Sequence, residues 1–206
     1  ARSDADRQIK VQVDRLNASL ENVNELNKQI TRTITSGRDP SALLDNRQAL
    51  VAEISTIVPL RQVPRDNGQI ALYSTGGAIL LAGGVAEIEF NAVNQVTPYM
   101  PIQGGQLSGL TINGYPVRTD SDRGALSGGS LGAQFEIRDE LGTSAQTQLD
   151  AYARDLIERF QDPAVDSTLA PGDAGLFTDD GLAFDPVNEV GISSRLTLNA
   201  AVDERQ

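Results

Sequence analysis

The N-terminal part of the chain carries one long seam of apolar positions whose spacing alternates between four and three residues. This alternation gives the 3.5-residue period of an α-helix that packs along its whole length against other helices. No proline interrupts the segment from Ser3 to Ser36, and Gly37 is the type of residue that ends a helix. We therefore expect a rod of roughly 50 Å, with a seam formed by Ile9, Val13, Leu16, Leu20, Val23, Asn27, Ile30 and Ile34.

A second helix is predicted after a short link. Asp39 is a suitable N-cap and Pro40 a suitable first helical residue, while Pro59 marks the end. The apolar stripe of this helix contains Leu43, Arg47, Leu50, Ile54 and Ile57. Because Arg47 lies within that stripe, we expect it to bond a carboxylate, for example on a third helix.

The two helices should form an antiparallel hairpin, but the second is about half as long as the first. The Ile9–Leu16 end of the first helix therefore needs another partner. The sequence leaves open whether this partner belongs to the same chain or to other segments or subunits. Asn27, the polar residue of the seam, is expected to fix the packing register and not to bind a ligand.

From residue 60 to 124 the sequence becomes rich in glycine, with strand-like segments between turn signals. The segment Asp66–Gly68 and the dipeptide Asn113-Gly114 each predict a β-hairpin. Acidic and apolar residues alternate from 85 to 90, which is typical of a strand with one wet face. We expect a small antiparallel β-subdomain inserted between helices.

A third long helix is predicted between 125 and 162, where Asp162 and Pro163 end it. Its seam is Leu131, Phe135, Leu141, Ala145, Leu149, Tyr152, Leu156 and Phe160. The predicted organisation is a helical hairpin (1–59), a β-subdomain (60–124), a helix returning to the bundle (125–162) and an acidic, mostly extended tail with short strands (163–206). The fold class is α+β, an elongated bundle of long helices with an inserted small antiparallel β-subdomain.

Composition excludes several classes of function. The net charge is −11, and two lysines provide no dense basic patch for nucleic acid or an anionic membrane. The chain has neither Cys nor His, which removes thiol nucleophiles, thiolate and imidazole metal sites, and Ser-His-Asp triads. No run reaches the ~20 apolar residues of a membrane-spanning helix. No signal peptide opens the sequence, although a targeting signal could lie outside it.

Two glycine-containing segments are candidate ligand sites. The segment Asp179–Gly181, with Asp173 and Asp185 nearby, is the best case for Ca²⁺, but it lacks the ligand spacing of an EF-hand and reads better as a solvated acidic loop. The Gly128–Gly132 segment could present backbone N–H groups to an anion. It lacks the Gly-Lys-Ser/Thr ending of a phosphate-binding loop, so a flexible joint is expected.

Two pairs of carboxylates could in principle support glycosidase chemistry, Asp139 with Glu140 and Asp120 with Asp122. Neighbouring residues of a helix diverge by about 100°, so Asp139 and Glu140 should not face one site. We therefore expect no enzyme activity, no cofactor, no metal and no small-molecule substrate.

Several segments together resemble the FlgK-type flagellar hook-associated proteins. They are Val23–Ile30, Leu43–Val51, the glycine-rich strands, Gly129–Ala133 with Phe135, Arg138 and Asp139, and Leu196–Asn199. Each motif is weak alone, and the likeness lies in their combination and order along nearly the whole chain. The acidic tail departs from the typical pattern of the family.

The resemblance implies a structural subunit that joins hook to filament in a ring, without the terminal helices that polymerise. Expected partners are copies of itself, hook protein, adjacent junction or filament proteins and, through segments absent here, an export chaperone. The implied location is the extracellular flagellum, reached without a cleaved signal peptide. The spine or its interfaces are assigned to Ile9, Val13, Leu16, Leu20, Val23, Ile30, Leu43, Arg47, Leu50, Ile54, Leu149, Tyr152 and Leu156.

The sequence leaves three alternatives to this structural function. The first is another flagellar axial protein, and the second is a binding or adhesion module that captures a peptide, glycan or receptor on the glycine-rich sheet. Burial of Tyr73, Phe90, Tyr99 and Tyr115 would count against that module, since these are its available aromatic residues. The third is a carboxylate enzyme, which requires two carboxyl groups roughly 5–10 Å apart in a cleft.

Overall fold

The computed structural model describes residues 1–93, 95–97, 100, 107–120 and 123–202. They form two compact units, and the boundary on the C-terminal side falls between Glu140 and Leu141. Unit 1 holds α1 (Arg2–Thr35), α2 (Ser41–Ile57), α3 (Gly129–Glu136), β1 (Leu60–Pro64), β2 (Ile70–Ser74), β3 (Ile79–Leu81), β4 (Ile88–Phe90), β5 (Leu110–Ile112) and β6 (Tyr115–Val117). Unit 2 holds α4 (Gly142–Phe160), β7 (Phe177–Asp179) and β8 (Leu196–Leu198). A π-helical turn, Ile137–Leu141, lies between α3 and α4 along the chain.

The strands of unit 1 form two antiparallel sheets, in the orders β1–β2–β3 and β4–β5–β6. Both predicted hairpins are confirmed, since β1 pairs with β2 and β5 with β6. Asn67 and Asn113 adopt left-handed backbone angles, with φ of 54° and 51°, which suits the tight turns they occupy. The α+β fold class is confirmed, because helices and small antiparallel sheets occur together.

A single hydrophobic core joins the helices and both sheets of unit 1. The Ile9–Leu16 end finds its partner within this chain, because Ile9, Val13 and Leu16 are almost fully buried. Residues of α3 and β4 pack against α1 and cover this end. The strands of both sheets share this core with the helices.

Helical backbone runs from Gly129 to Phe160, within the predicted range 125–162, but a π-helical turn divides it. Its residues divide between α3 in unit 1 and α4 in unit 2, on either side of the π-helical turn. The start of α3 depends on Gly129, whose φ is +62°. A Cβ atom built there would lie 2.4 Å from the carbonyl oxygen of Ile57, at the end of α2. The Gly128–Gly132 segment, most of which lies in α3, therefore forms a close backbone junction with the end of α2.

Asn27 and Arg47 form a hydrogen-bonded centre that links α1, α2 and β2. Asn27 Nδ2 donates to the carbonyl oxygen of Ile70 at 2.9 Å, and Asn27 Oδ1 accepts from the Ile70 N–H at 3.2 Å. Arg47 Nη1 donates to Asn27 Oδ1 at 2.8 Å and to the Gly68 carbonyl oxygen at 2.6 Å. The prediction that Arg47 bonds a carboxylate is wrong, because Arg47 Nη1 donates to these neutral oxygens instead. Burial lowers the pKa of Arg47.

Asp39 caps the second helix as expected, but the helix begins one residue later than predicted. The helix begins at Ser41, and Asp39 Oδ1 accepts hydrogen bonds from the Ser41 N–H at 3.0 Å and from its hydroxyl at 2.6 Å. These hydrogen bonds lower the pKa of Asp39. Along α2 the fully buried positions are Arg47, Val51, Ile54 and Ile57, whereas Leu43 and Leu50 are half-buried.

Replacing Asn27 by Ala should destabilise unit 1 strongly. The change leaves the Ile70 backbone groups and one bond of Arg47 without partners, and unsatisfied buried polar groups cost about 1–3 kcal/mol each. We expect a loss of roughly 3 kcal/mol in the free energy of unfolding, measured in urea. Asn22→Ala, an exposed change on the same helix, serves as the control and should stay within about 0.5 kcal/mol. Equal effects of the two changes would contradict a central role for Asn27.

Candidate interaction surfaces and their polar anchors

Unit 1 encloses a buried cluster of charges and aromatic rings around Arg138, whose exposure is 1%. Arg138 Nη1 donates to Asp6 Oδ1 at 2.8 Å, while Nε and Nη2 donate to the two carboxylate oxygens of Asp139 at 2.6 and 2.9 Å. The guanidinium carbon lies 5.3 and 5.1 Å from the ring centres of Phe90 and Phe135. This arrangement satisfies both the charge and the hydrogen-bond donors of Arg138 inside the protein.

Arg138 thereby fastens α1 to the π-helical turn. Asp6 lies on α1, and its second oxygen accepts from the Val93 N–H at 2.5 Å, just after β4. Burial alone would lower the pKa of Arg138, but the carboxylates of Asp139 and Asp6 outweigh it and raise that pKa. Asp6 was not among the sequence candidates. Its place one turn before Ile9 on the seam face of α1 was the available signal.

Unit 2 is built around α4 and a second, smaller core of Ala153, Ile157 and Ile192. Asp150 anchors the following chain to this helix. Its carboxylate accepts from the Gly191 N–H at 2.7 Å, the Ser193 N–H at 3.0 Å and the Ser193 hydroxyl at 2.7 Å. Burial opposes ionisation of Asp150, but the bonds from Ser193 and Gly191 prevail and lower its pKa.

These anchors shift the buried face of α4 away from the predicted seam. The buried positions of α4 are Asp150, Ala153 and Ile157. Leu149 is 55% exposed and Tyr152 70% exposed, whereas Leu156 is half-buried. Leu149 and Tyr152, assigned to the spine or its interfaces, therefore lie outside the buried core of unit 2. They form, with Leu156, an apolar stripe at helical spacing on the surface of unit 2, which we term the α4 stripe.

The remaining polar candidates form internal contacts. Asp179 pairs with Arg195 through two hydrogen bonds of 2.6 and 2.9 Å. No group of three or more acidic side chains suited to a metal ion occurs among the described residues. Asp139 binds Arg138, and Asp122 lies outside the described residues. Every buried side-chain nitrogen or oxygen in the described part of the chain has a hydrogen-bond partner.

The aromatic residues considered for a binding module differ in exposure. Phe90 is buried, Tyr73 is half-buried and Tyr115 is 76% exposed, while Tyr99 lies outside the described residues. Burial of all four, which would have counted against the module, is thus not observed. In the ranges that the structure describes, no helix has the length and apolar character needed to cross a membrane.

The fold and its surfaces define an α+β structural domain whose buried polar groups bind one another. Residues 1–175 match the family model described as the flagellar hook-associated protein FlgK helical domain, and the chain belongs to this family. It is similar to flagellar hook-associated protein 1 of Escherichia coli K12, with 25% identity over 178 residues, 84% of this chain and 31% of that protein. It also resembles the structure of the flagellar hook junction protein FlgK from Burkholderia pseudomallei. The TM-score is 0.62 and the identity 22%, over 86% of this chain and 31% of that one.

Replacing Arg138 by Met should destabilise unit 1 by about 3–5 kcal/mol, because the buried Asp6 carboxylate loses its counter-charge. Adding Asp6→Asn should recover part of this loss. Arg118→Met is the matched control, since Arg118 pairs with Asp120 at 2.7 Å on the surface. This control should cost at most about 1 kcal/mol. If urea unfolding gave similar losses of stability for the Arg138 and Arg118 variants, burial would not explain the effect at Arg138.

The stabilising effect of Asp150 should depend on pH. Because its pKa is lower in the folded protein, the unfolded chain binds more protons as the pH falls below its own carboxyl pKa of about 3.9. The contribution of Asp150 is therefore complete above that value and is lost as the pH falls through the folded pKa. The difference in urea stability between wild type and Asp150→Asn, followed at the Ile192 methyl groups, should shrink in that acid range. Asp155→Asn, an exposed change on the same helix, should show a much smaller difference at every pH.

Proposed function

We propose that this chain is a structural domain of a subunit that joins the flagellar hook to the filament, acting through protein–protein interfaces in a ring assembly. The match of residues 1–175 to the FlgK helical domain carries this proposal. The chain spans about a third of the length of the relatives it matches, 31% in each case. The junction function belongs to such whole proteins, and this domain would contribute a stiff framework and contact surfaces.

The proposed partners are neighbouring copies of the same protein, hook protein and the adjacent junction or filament proteins. An export chaperone would bind segments that lie outside this sequence. The proposed location is the extracellular flagellum, after export without a cleaved signal peptide. The acidic, cysteine-free composition is compatible with such a location.

The α4 stripe is the first proposed interface. Leu149, Tyr152 and Leu156 follow the 3–4 spacing with which one helix packs against another, yet the described chain leaves the first two in solvent. Large apolar side chains grouped on one helix face favour contact with another protein segment. We assign this stripe to packing against a helix from another segment of the intact protein or from a neighbouring subunit. The buried residues Ile9, Val13, Leu16, Leu20, Val23, Ile30 and Ile54 would serve the stiffness of the domain.

Deletion of the intact gene tests the function directly. Cells without it should assemble hooks that carry no filament, visible by electron microscopy, and the intact gene on a plasmid should restore filaments. Filaments that remain attached to hooks in the deletion strain would refute the proposed function.

Replacing Leu149 and Tyr152 together by Ser in the intact protein should abolish most of this restoration. Apolar residues at the centre of an interface typically contribute about 1–3 kcal/mol each, which is enough to disrupt an assembly. The same double change in the 206-residue chain should alter its own stability by about 0.5 kcal/mol per site or less, because both side chains are exposed. Thr147→Ser with Gln148→Ser, at exposed neighbouring positions, is the control and should restore filaments fully.

A further inference from the structure

The outer face of the β1–β2–β3 sheet in unit 1 combines two arginines with a tyrosine and an exposed isoleucine. Arg61, Tyr73 and Ile79 lie side by side across the three strands, because Arg61 pairs with Tyr73 and Tyr73 with Ile79. The guanidinium carbon of Arg61 lies 5.8 Å from the centre of the Tyr73 ring, and Arg65 Nη2 donates to the Tyr73 hydroxyl at 3.1 Å. Tyr73 thus holds both arginines on one surface, which we term the arginine face.

The two positive charges of the arginine face are available to bind a partner. Within the described residues, neither Arg61 nor Arg65 forms an ion pair with a carboxylate, in contrast to Arg15, which binds Glu53 at 2.7 Å. Both arginines are exposed in a chain whose net charge is −11. Ile79, 55% exposed, adds apolar surface beside them. Such a face suits a partner that presents a carboxylate next to an aliphatic side chain.

Unit 2 presents this combination at a tight hairpin turn. The Asp179 N–H donates to the Leu182 carbonyl oxygen at 2.9 Å, and the Leu182 N–H donates to the Asp179 carbonyl oxygen at 3.0 Å. Asp180 and Gly181 have φ of +53° and +87°, as a two-residue type I′ turn requires. Because Arg195 holds Asp179, the turn is preformed, and a preformed segment loses less entropy on binding. We term the segment Asp179–Leu182 the acidic tip.

The exposed side chains of the acidic tip are complementary to the arginine face. Asp180 is exposed and forms no ion pair with a described residue, and Leu182 is 70% exposed. The residues from 141 to 202 include ten carboxylates and three arginines, a net charge of −7. Arg154, Arg159 and Arg195 are each paired with a carboxylate of the same unit. Unit 2 therefore carries surplus negative charge.

We propose that the acidic tip of one copy docks on the arginine face of a second copy, with Asp180 between Arg61 and Arg65 and Leu182 against Ile79. This inference rests on the proposed assembly into a ring. The two surfaces differ, so the contact is heterologous, and repeated heterologous contacts generate a ring when the rotation closes. The charge pairing also sets which surfaces meet and increases the rate of encounter.

Cross-linking between single-cysteine variants tests the contact without background, because the chain contains no cysteine. Ile79→Cys and Leu182→Cys copies are mixed at concentrations up to the millimolar range and treated with a short bismaleimide. We expect the mixture to form heterodimers about tenfold faster than a mixture of Ile79→Cys with Val165→Cys, an exposed aliphatic position in another loop of unit 2. Each variant alone should give little dimer.

Charge exchange tests the same contact by a second route. Arg65→Glu in the Ile79→Cys copy, or Asp180→Lys in the Leu182→Cys copy, should slow heterodimer formation about threefold to tenfold. Combining both changes should recover much of the rate, and added salt should slow the wild-type charge pair. A mixture that reacts no faster than the control pair, or an Ile79→Cys variant that links to itself equally fast, would overturn the proposal. If cross-linking fails but the deletion strain still forms hooks without filaments, this contact is refuted and the proposed function stands.

Discussion

The amide of Asn27 determines how the first helix, the second helix and the first sheet fit together. Both of its polar atoms bind the backbone of Ile70, and the same oxygen accepts from Arg47. A shift of α1 by one residue along the sheet would leave these buried groups without partners. The apolar seam supplies most of the burial, but apolar contacts are not directional. Asn27 therefore contributes the specificity of register that the seam alone lacks.

The two buried arginines of unit 1 illustrate different solutions to the cost of burying charge. Arg47 binds neutral oxygens, and its pKa falls as burial dictates. Arg138 lies between two carboxylates and two phenyl rings, and its pKa rises. The first arrangement suits a site beside the turn between β1 and β2, where the Gly68 carbonyl oxygen is available. The second concentrates three charges in one cluster, so the loss of any member affects the others.

Local patterns predicted much of the fold, because their causes are local. The seam of α1 follows from the helical period, and the hairpins at Asn67 and Asn113 follow from the φ values that those turns require. The face of α4 was missed for a physical reason. The predicted seam did not include Asp150 of α4 or Arg138 of the preceding π-helical turn, yet partners distant in sequence allow both to be buried. The same dependence on distant partners hid Asp6 and the neutral partners of Arg47.

The junction at Gly129 restricts which residues this chain can accept at this point. Space excludes a side chain there because the Ile57 carbonyl group lies so close, and the left-handed backbone angle strains most residues that carry a Cβ atom. Evolution could introduce any other residue only by moving the end of α2 and the start of α3 at once. A change in this part of unit 1 would thus require coordinated substitutions, whereas the surface loops could change by single substitutions.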